Sequence, residues 1–174
     1  MIDSSQSVEV FSKALVYSVN APLKWQYAQV PAKNLDTDNE QCLRTLLSLS
    51  EHHNVDVDEE FAALERKVDI TLEMVAMLLK ANIDMPSSKA LSLGAHEISW
   101  QPTNDLPDLD ANIEVVMYLH DLYPKPLVLS GQVKLINDQA CRVALNQPSD
   151  EVQQLLEKFI FLHHRRAIAL AKNS

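Results

Sequence analysis

Residues 58–80 read DEEFAALERKVDITLEMVAMLLK, and this stretch governs how the rest of the chain can be arranged. It holds no Gly or Pro, and acid gathers at its start (Asp56, Asp58, Glu59, Glu60), where the helix dipole favours negative charge. The reading is one unbroken helix of about six turns. Phe61, Leu64, Val68, Val75 and Leu78 recur at alternating three- and four-residue spacing, with Thr71 completing the series. That is a coiled-coil seam of about three heptads. Leu72 and Leu79 flank it on one side, and Ile70, Met74 and Met77 on the other. The second half of the helix is therefore apolar nearly all round and must be covered on several sides. The expectation is that it packs against its own domain and against copies of itself. The broad flanks favour three or more strands over a dimer, and Glu60 and Glu65 would meet as like charges in a parallel dimer. Phe61, Leu64, Val68, Thr71, Leu72, Val75 and Leu78 are the candidate oligomerisation residues.

The length of 174 residues fits one domain, and 47% hydrophobic residues suffice for a core. A formal charge of −9 repels nucleic acid and anionic lipid, so neither is an expected partner. Cys42 and Cys141 lack metal-ligand spacing and read as reduced core thiols. The start, MIDSSQSVEVFSK, has neither the basic nor the long apolar region of a signal peptide, and no apolar run approaches the ~20 residues of a membrane span. The expectation is a cytoplasmic protein with no membrane insertion. There are only two glycines, Gly94 and Gly131, neither in a Gly-rich loop. The usual phosphate-cradling loops, whose backbone must approach the ligand closely, are thereby excluded.

Around the long helix, residues 8–30 mix short alternations with Pro22 and read as one or two short extended pieces. Asp36 or Thr37 is placed to cap a helix over about 38–52, so 36–80 becomes a helical hairpin. After Pro86 the period changes from 3.6 to 2. Residues 89–100, 113–120, 127–136 and 140–145 read as four antiparallel strands, with a bulge expected at Gly131. Ser149 or Asp150 caps a last helix running to about 171, with Val152, Leu155, Leu156, Phe159, Ile160 and Ile168 on its apolar face. An α+β fold follows, in which a small antiparallel barrel is plugged by the last helix.

Chemistry-bearing groups are sparse. The adjacent pairs His52–His53 and His163–His164 point apart and do not make a metal site. No serine or cysteine sits in an activated-nucleophile setting. The reading is therefore not an enzyme, with no cofactor. His163, His164, Arg165 and Arg166, joined by Lys172, form the single cationic cluster. It complements the dipole at a helix C-terminus, or it contacts an anion or an acidic partner.

The order of elements, with ALERKVDITLEMVAMLLK, EISW, IEVVMYLH, PKPLVLSGQV and EKFIFLHHRRAIA, resembles the atypical, tetramer-forming PilZ-domain family of bacteria over roughly residues 10–171. The resemblance implies a single atypical PilZ domain over 1–174, with a helical-hairpin insertion at 36–80 and barrel strands plus C-terminal helix at 86–171. It implies a six-stranded antiparallel barrel, a parallel coiled coil of four chains, and a role in cyclic di-GMP signalling. Ordinary PilZ domains grip that ligand with an Arg-x-x-x-Arg segment and an Asp/Asn-x-Ser-x-x-Gly motif. Here the arginines are Arg44, Arg66, Arg142, Arg165 and Arg166, no two of them four apart, and the second motif falls on Ser92, Gly94 and Glu97. Glu97 would meet a dianionic ligand with like charge. The expectation is a non-enzymatic, homotetrameric signalling adaptor acting through an unidentified protein partner, with direct cyclic di-GMP binding disfavoured. The alternative is a cyclic di-GMP receptor using a different surface, with His163, Arg165 and Arg166 as its ligand-binding candidates.

Overall fold

The computed structural model describes residues 15–28, 35–51 and 59–172. Its elements, in chain order, are β1 (Val16–Tyr27), α1 (Leu35–Ser50), α2 (Glu59–Lys80), β2 (Ser88–Gly94), β3 (Glu97–Trp100), β4 (Asn112–Met117), β5 (Leu127–Ile136), β6 (Cys141–Leu145) and α3 (Asp150–Lys172). The six strands close into a barrel in the order β1-β2-β3-β6-β5-β4, all neighbours antiparallel.

Closure rests on β1. Its first half, Val16 to Pro22, pairs with β2, and its second half, Leu23 to Tyr27, pairs with β4. Pro22 stands where the strand changes partner. Proline lacks an N–H and so cannot donate to a ladder; here its carbonyl still accepts from Tyr118 N at 3.0 Å. The one or two short pieces expected around Pro22 are therefore one long strand; residues 8–14, 29 and 30 of that expected stretch lie outside the described residues. The stretch 89–100 divides into β2 and β3 around Ala95 and His96, so with β1 the four patterned strands become six.

Other boundaries also differ from the sequence reading. α1 begins at Leu35, which puts Asp36 and Thr37 inside its first turn rather than at its cap. β4 stops at Met117, and the following turn is tied by His120 Nδ1 accepting from Leu122 N at 3.1 Å. The β5 irregularity lies between Val133 and Leu135, not at Gly131. Gly131 serves close packing instead: a Cβ there would stand 2.3 Å from Ala144 O and 2.7 Å from Val143 Cγ1.

The core is the barrel interior, including Leu23, Leu93, Ile98, Trp100, Ile113, Met117, Leu127 and Val143, extended by Leu43 and Leu46 of α1 and by Val152, Leu156, Phe159 and Ile160 of α3. Alternation of inward and outward residues along each strand supplies the apolar face. Ser149 caps α3, its Oγ accepting from Val152 N at 3.4 Å. Ile168, expected on the apolar face of α3, is instead exposed. Cys42 and Cys141 are buried free thiols, and burial pushes them up to about 12 and about 11.

α1 packs on α3 and β5. Its buried Asn39 donates to Val128 O at 2.7 Å and accepts from Val128 N at 3.1 Å. The side-chain amide thus satisfies β5 main-chain groups just ahead of the point where β6 joins at Gly131. The expected packing of α1 along α2 is absent: no described helix or strand packs against α2. Apolar burial decides this. Cys42, Leu43, Leu46 and Leu47 of α1 are all committed to the core, which leaves α1 no second apolar face.

Gly131→Val should push Val143 and Ala144 of β6 away from β5 and cost about 1–3 kcal/mol. Urea denaturation, read at the midpoint, measures this; an unchanged midpoint would mean that the β5–β6 contact yields freely.

Candidate functional site

Two features gather the residues singled out from the sequence: α2 and the second half of α3.

α2 is 22 residues long, about 33 Å at 1.5 Å per residue. Among the described residues, its ties to the rest of the chain lie at its C-terminal end. Lys80 Nζ pairs with Asp121 Oδ1 at 3.0 Å, and Asn82 Nδ2 donates to Leu78 O at 2.8 Å. Main-chain bonds from Ala81, Asn82 and Ile83 then close the last turn. Among its described side chains only Ala76 is buried. Phe61 and Leu78, at the two ends of the seam, are both 67% exposed. Between them Leu64, Val68, Leu72 and Val75 are also exposed, as are Ile70, Met74, Met77 and Leu79 on the flanks. Thr71 turns its hydroxyl back to Lys67 O at 2.8 Å, which satisfies that polar group within the helix. The seven seam residues therefore form one continuous uncovered strip, with apolar flanks on both sides.

The cationic run of α3 is used mainly within the fold. His163 sits between aromatic rings, with centroids 4.4 Å from Tyr17 and 4.4 Å from Phe159. Its Nε2 lies 3.2 Å from Ser50 Oγ. Arg166 donates to Ser50 O, one of the carbonyls left open at the end of α1. His164 Nδ1 lies 3.2 Å from Val16 O. Together these side chains join the end of α1, the start of β1 and α3. Arg165 is the exception: it is exposed and stacks over Phe161, 5.6 Å from the ring centroid.

On the barrel exterior, pairing across four strands aligns Ser18, Ser92, Ser99 and Arg142 in one row. Ser18 and Ser92 share a hydrogen bond of 3.1 Å. Arg142 Nε is buried without a hydrogen-bond partner among the described residues. A shallow depression of about 570 Å³ lies over the three serines, Gln101 and Gln139. Arg142 was not singled out from the sequence, because it lies 43 residues beyond Ser99 in the chain and becomes its neighbour only through strand pairing. Gly94 and Glu97, the other positions of the expected ligand motif, flank the β2–β3 turn at the end of that surface.

Burial, followed by the charges of Arg166 and His120, holds the His163 imidazole below its ordinary value of 6.5. Folding thus favours the neutral ring, and as pH falls below 6.5 the unfolded chain takes up the proton first. Stability should fall with the pH there, and stop falling once the folded protein is protonated too. His163→Gln should flatten that slope in urea titrations across the acid range. His120, also lowered chiefly by burial, leaves a residual slope of the same sign; an unchanged slope would show that His163 does not govern it.

A family model described as "Atypical PilZ domain, cyclic di-GMP receptor" matches residues 46–173. No curated protein matches the chain. Five chains among solved structures do. One is a pathogenic protein from Xanthomonas campestris, described as a new tetrameric PilZ domain self-assembled through an unusual helical bundle. It is 19% identical, the match covers 91% of this chain and 93% of that one, and the TM-score is 0.68. At that identity the likeness is one of fold, and the fold agrees with the six-stranded barrel closed by α3. With the family model spanning most of the sequence, the chain belongs to the atypical PilZ-domain family of cyclic di-GMP signalling.

Proposed function

We propose that the protein is a tetrameric, non-enzymatic adaptor in bacterial cyclic di-GMP signalling, working in the cytoplasm through protein partners. The observation that carries this reading is the uncovered state of α2. A helix of this length is only marginally stable alone in water, and ten large apolar side chains from Phe61 to Leu79 lie exposed on it. Neither the barrel nor α1 covers them. Copies of the same helix fit the alternating spacing, with Phe61, Leu64, Val68, Thr71, Leu72, Val75 and Leu78 facing one another in a parallel bundle. The Xanthomonas relative, described as tetrameric through a helical bundle, supports four as the number. The adaptor part rests on the lost nucleotide grip: Arg-x-x-x-Arg is absent from the sequence, and the second motif reads Ser92, Gly94, Glu97.

A second reading, that the nucleotide is bound at a non-standard surface, is favoured by Arg142, whose Nε lacks a partner among the described residues and stands at the end of the serine row. Guanidinium suits phosphate oxygens geometrically. Among the residues expected from the sequence, Arg165 is the one whose guanidinium has no hydrogen bond among the described residues, whereas His163 and Arg166 contact Ser50.

Light scattering on the purified protein should give the mass of four chains, and Leu64→Glu with Val68→Glu should give a monomer, because charge in the seam would be buried unpaired. A monomeric wild type would overturn the assembly. Isothermal titration with cyclic di-GMP should give no binding heat. If heat appears, the adaptor reading fails and the second reading stands, with Arg142→Ala and Arg165→Ala locating the surface by whichever abolishes it.

A further inference from the structure

The segment 101–111, QPTNDLPDLDA, connects β3 to β4 across one end of the barrel. It has no helix or strand, yet it is fastened along its length. Asp105 O accepts from Trp25 Nε1 at 3.3 Å, and Asp108 Oδ2 accepts from Tyr27 OH at 2.8 Å. Asp110 N donates to Val133 O at 2.9 Å, and Asp110 O accepts from Gln132 Nε2 at 2.9 Å. Pro107 is buried. Held this way, the segment turns Leu106 and Leu109 outward, 40% and 59% exposed. Beside them, Trp25 and Tyr27 stack edge to face at 5.3 Å, and Tyr27 is itself half exposed. Two leucines thus stand outward on a fixed frame beside the half-exposed Tyr27, rimmed by Asp105 and Asp108, while Trp25 is partly buried against the core. Asp110 completes the rim with Lys134 3.7 Å away.

Single exposed apolar residues are ordinary on a protein surface; a cluster beside an exposed tyrosine, with three carboxylates against one lysine at its rim, is the composition of a binding patch. The charge decides what binds. A second copy meeting the patch face to face would set its own carboxylates against those of the rim, and nucleic acid or an anionic membrane is repelled in the same way. An apolar segment flanked by Lys or Arg is attracted, and its cations meet the carboxylates around the patch. We propose that this patch is the docking surface for a basic, apolar segment of a protein partner. The proposal rests on the reading that the protein acts through protein partners, and it names the face used and the chemistry recognised. The patch lies at the start of β4, where Tyr27 pairs with Ile113. α2 attaches beyond the other end of that strand, through Asp121. Assembly through α2 therefore leaves the patch open on every copy, and several copies of a weak site raise the avidity for a partner that offers several segments.

The test is a screen of the full-length protein against a random phage-displayed peptide library, followed by titration of the enriched peptides as synthetic probes. Two variants leave the fastenings intact. Leu106→Ser with Leu109→Ser changes only outward side chains. Asp105→Lys reverses a rim charge while the Trp25 hydrogen bond, made to the main-chain carbonyl, remains. Enriched peptides should carry Lys or Arg around Leu or Phe. They should bind more weakly in high salt and lose about tenfold or more in affinity to either variant. An unaltered melting temperature confirms that each variant is folded; if the leucine variant melts early, Asp105→Lys alone decides. No enrichment, enrichment of acidic peptides, or equal binding to wild type and variants overturns the proposal. So does a mass above the tetramer that Asp105→Lys reduces, since the occupant is then a second copy. The Leu64→Glu, Val68→Glu chain should bind each peptide as tightly per chain as wild type does. Failure of the assembly and failure of the docking surface are thereby read separately.

Discussion

The fold depends on one strand serving two partners. β1 is long enough to begin on β2 and finish on β4, and without it the other five strands form an open sheet with two free edges. Every barrel wall is then defined by where β1 turns from one neighbour to the other, and that position is Pro22. A proline elsewhere in a central strand would break a ladder bond. Placed at the switch, it ends the pairing with β2 while its carbonyl still accepts from Tyr118 N. Ala21 and Leu23, on either side of it, are both buried.

Closing the barrel leaves an apolar opening, and α3 fills it. Leu156, Phe159 and Ile160 enter the core, while Tyr17 of β1 meets Phe159 edge to face at 5.3 Å. α1 then packs on α3 and β5, and the polar side chains of α3 bind its end through Ser50. The cationic run that looks like a ligand site in the sequence is thus largely the means by which two helices and a strand are joined. A half-buried histidine among rings and an arginine on a helix-terminal carbonyl are structural uses of residues that also serve in binding sites.

Much of this was legible from the sequence because the signals are local. The helical run of α2, the alternation in β4 and β5, and the capping serine before α3 are each signals carried by neighbouring residues. What stayed hidden depends on distant partners. Pro22 reads as a strand breaker unless both neighbours of β1 are known. Asn39 reads as a helix-surface amide, yet it is buried against Val128, 89 residues away. The partner of α1 was hidden because α3, which takes its apolar face, lies far along the chain. Arg142 stands alone in the sequence and gains its row of serines only through pairing across the barrel. The family was legible as well, since its most specific stretches are the long helix and the end of the chain.

The junction at the end of α2 also sets the order of events when the chain folds. The barrel, α1 and α3 share one core to which α2 contributes no side chain. That core can form in a single chain, at a rate independent of concentration. In the proposed assembly α2 draws its stabilisation from other copies, so its ordering would be an encounter between molecules and its rate would rise with their number. Between the two steps, a folded barrel carries a sticky helix on a short tether. The protein's tendency to pair wrongly or aggregate is therefore concentrated in that interval and in those 22 residues.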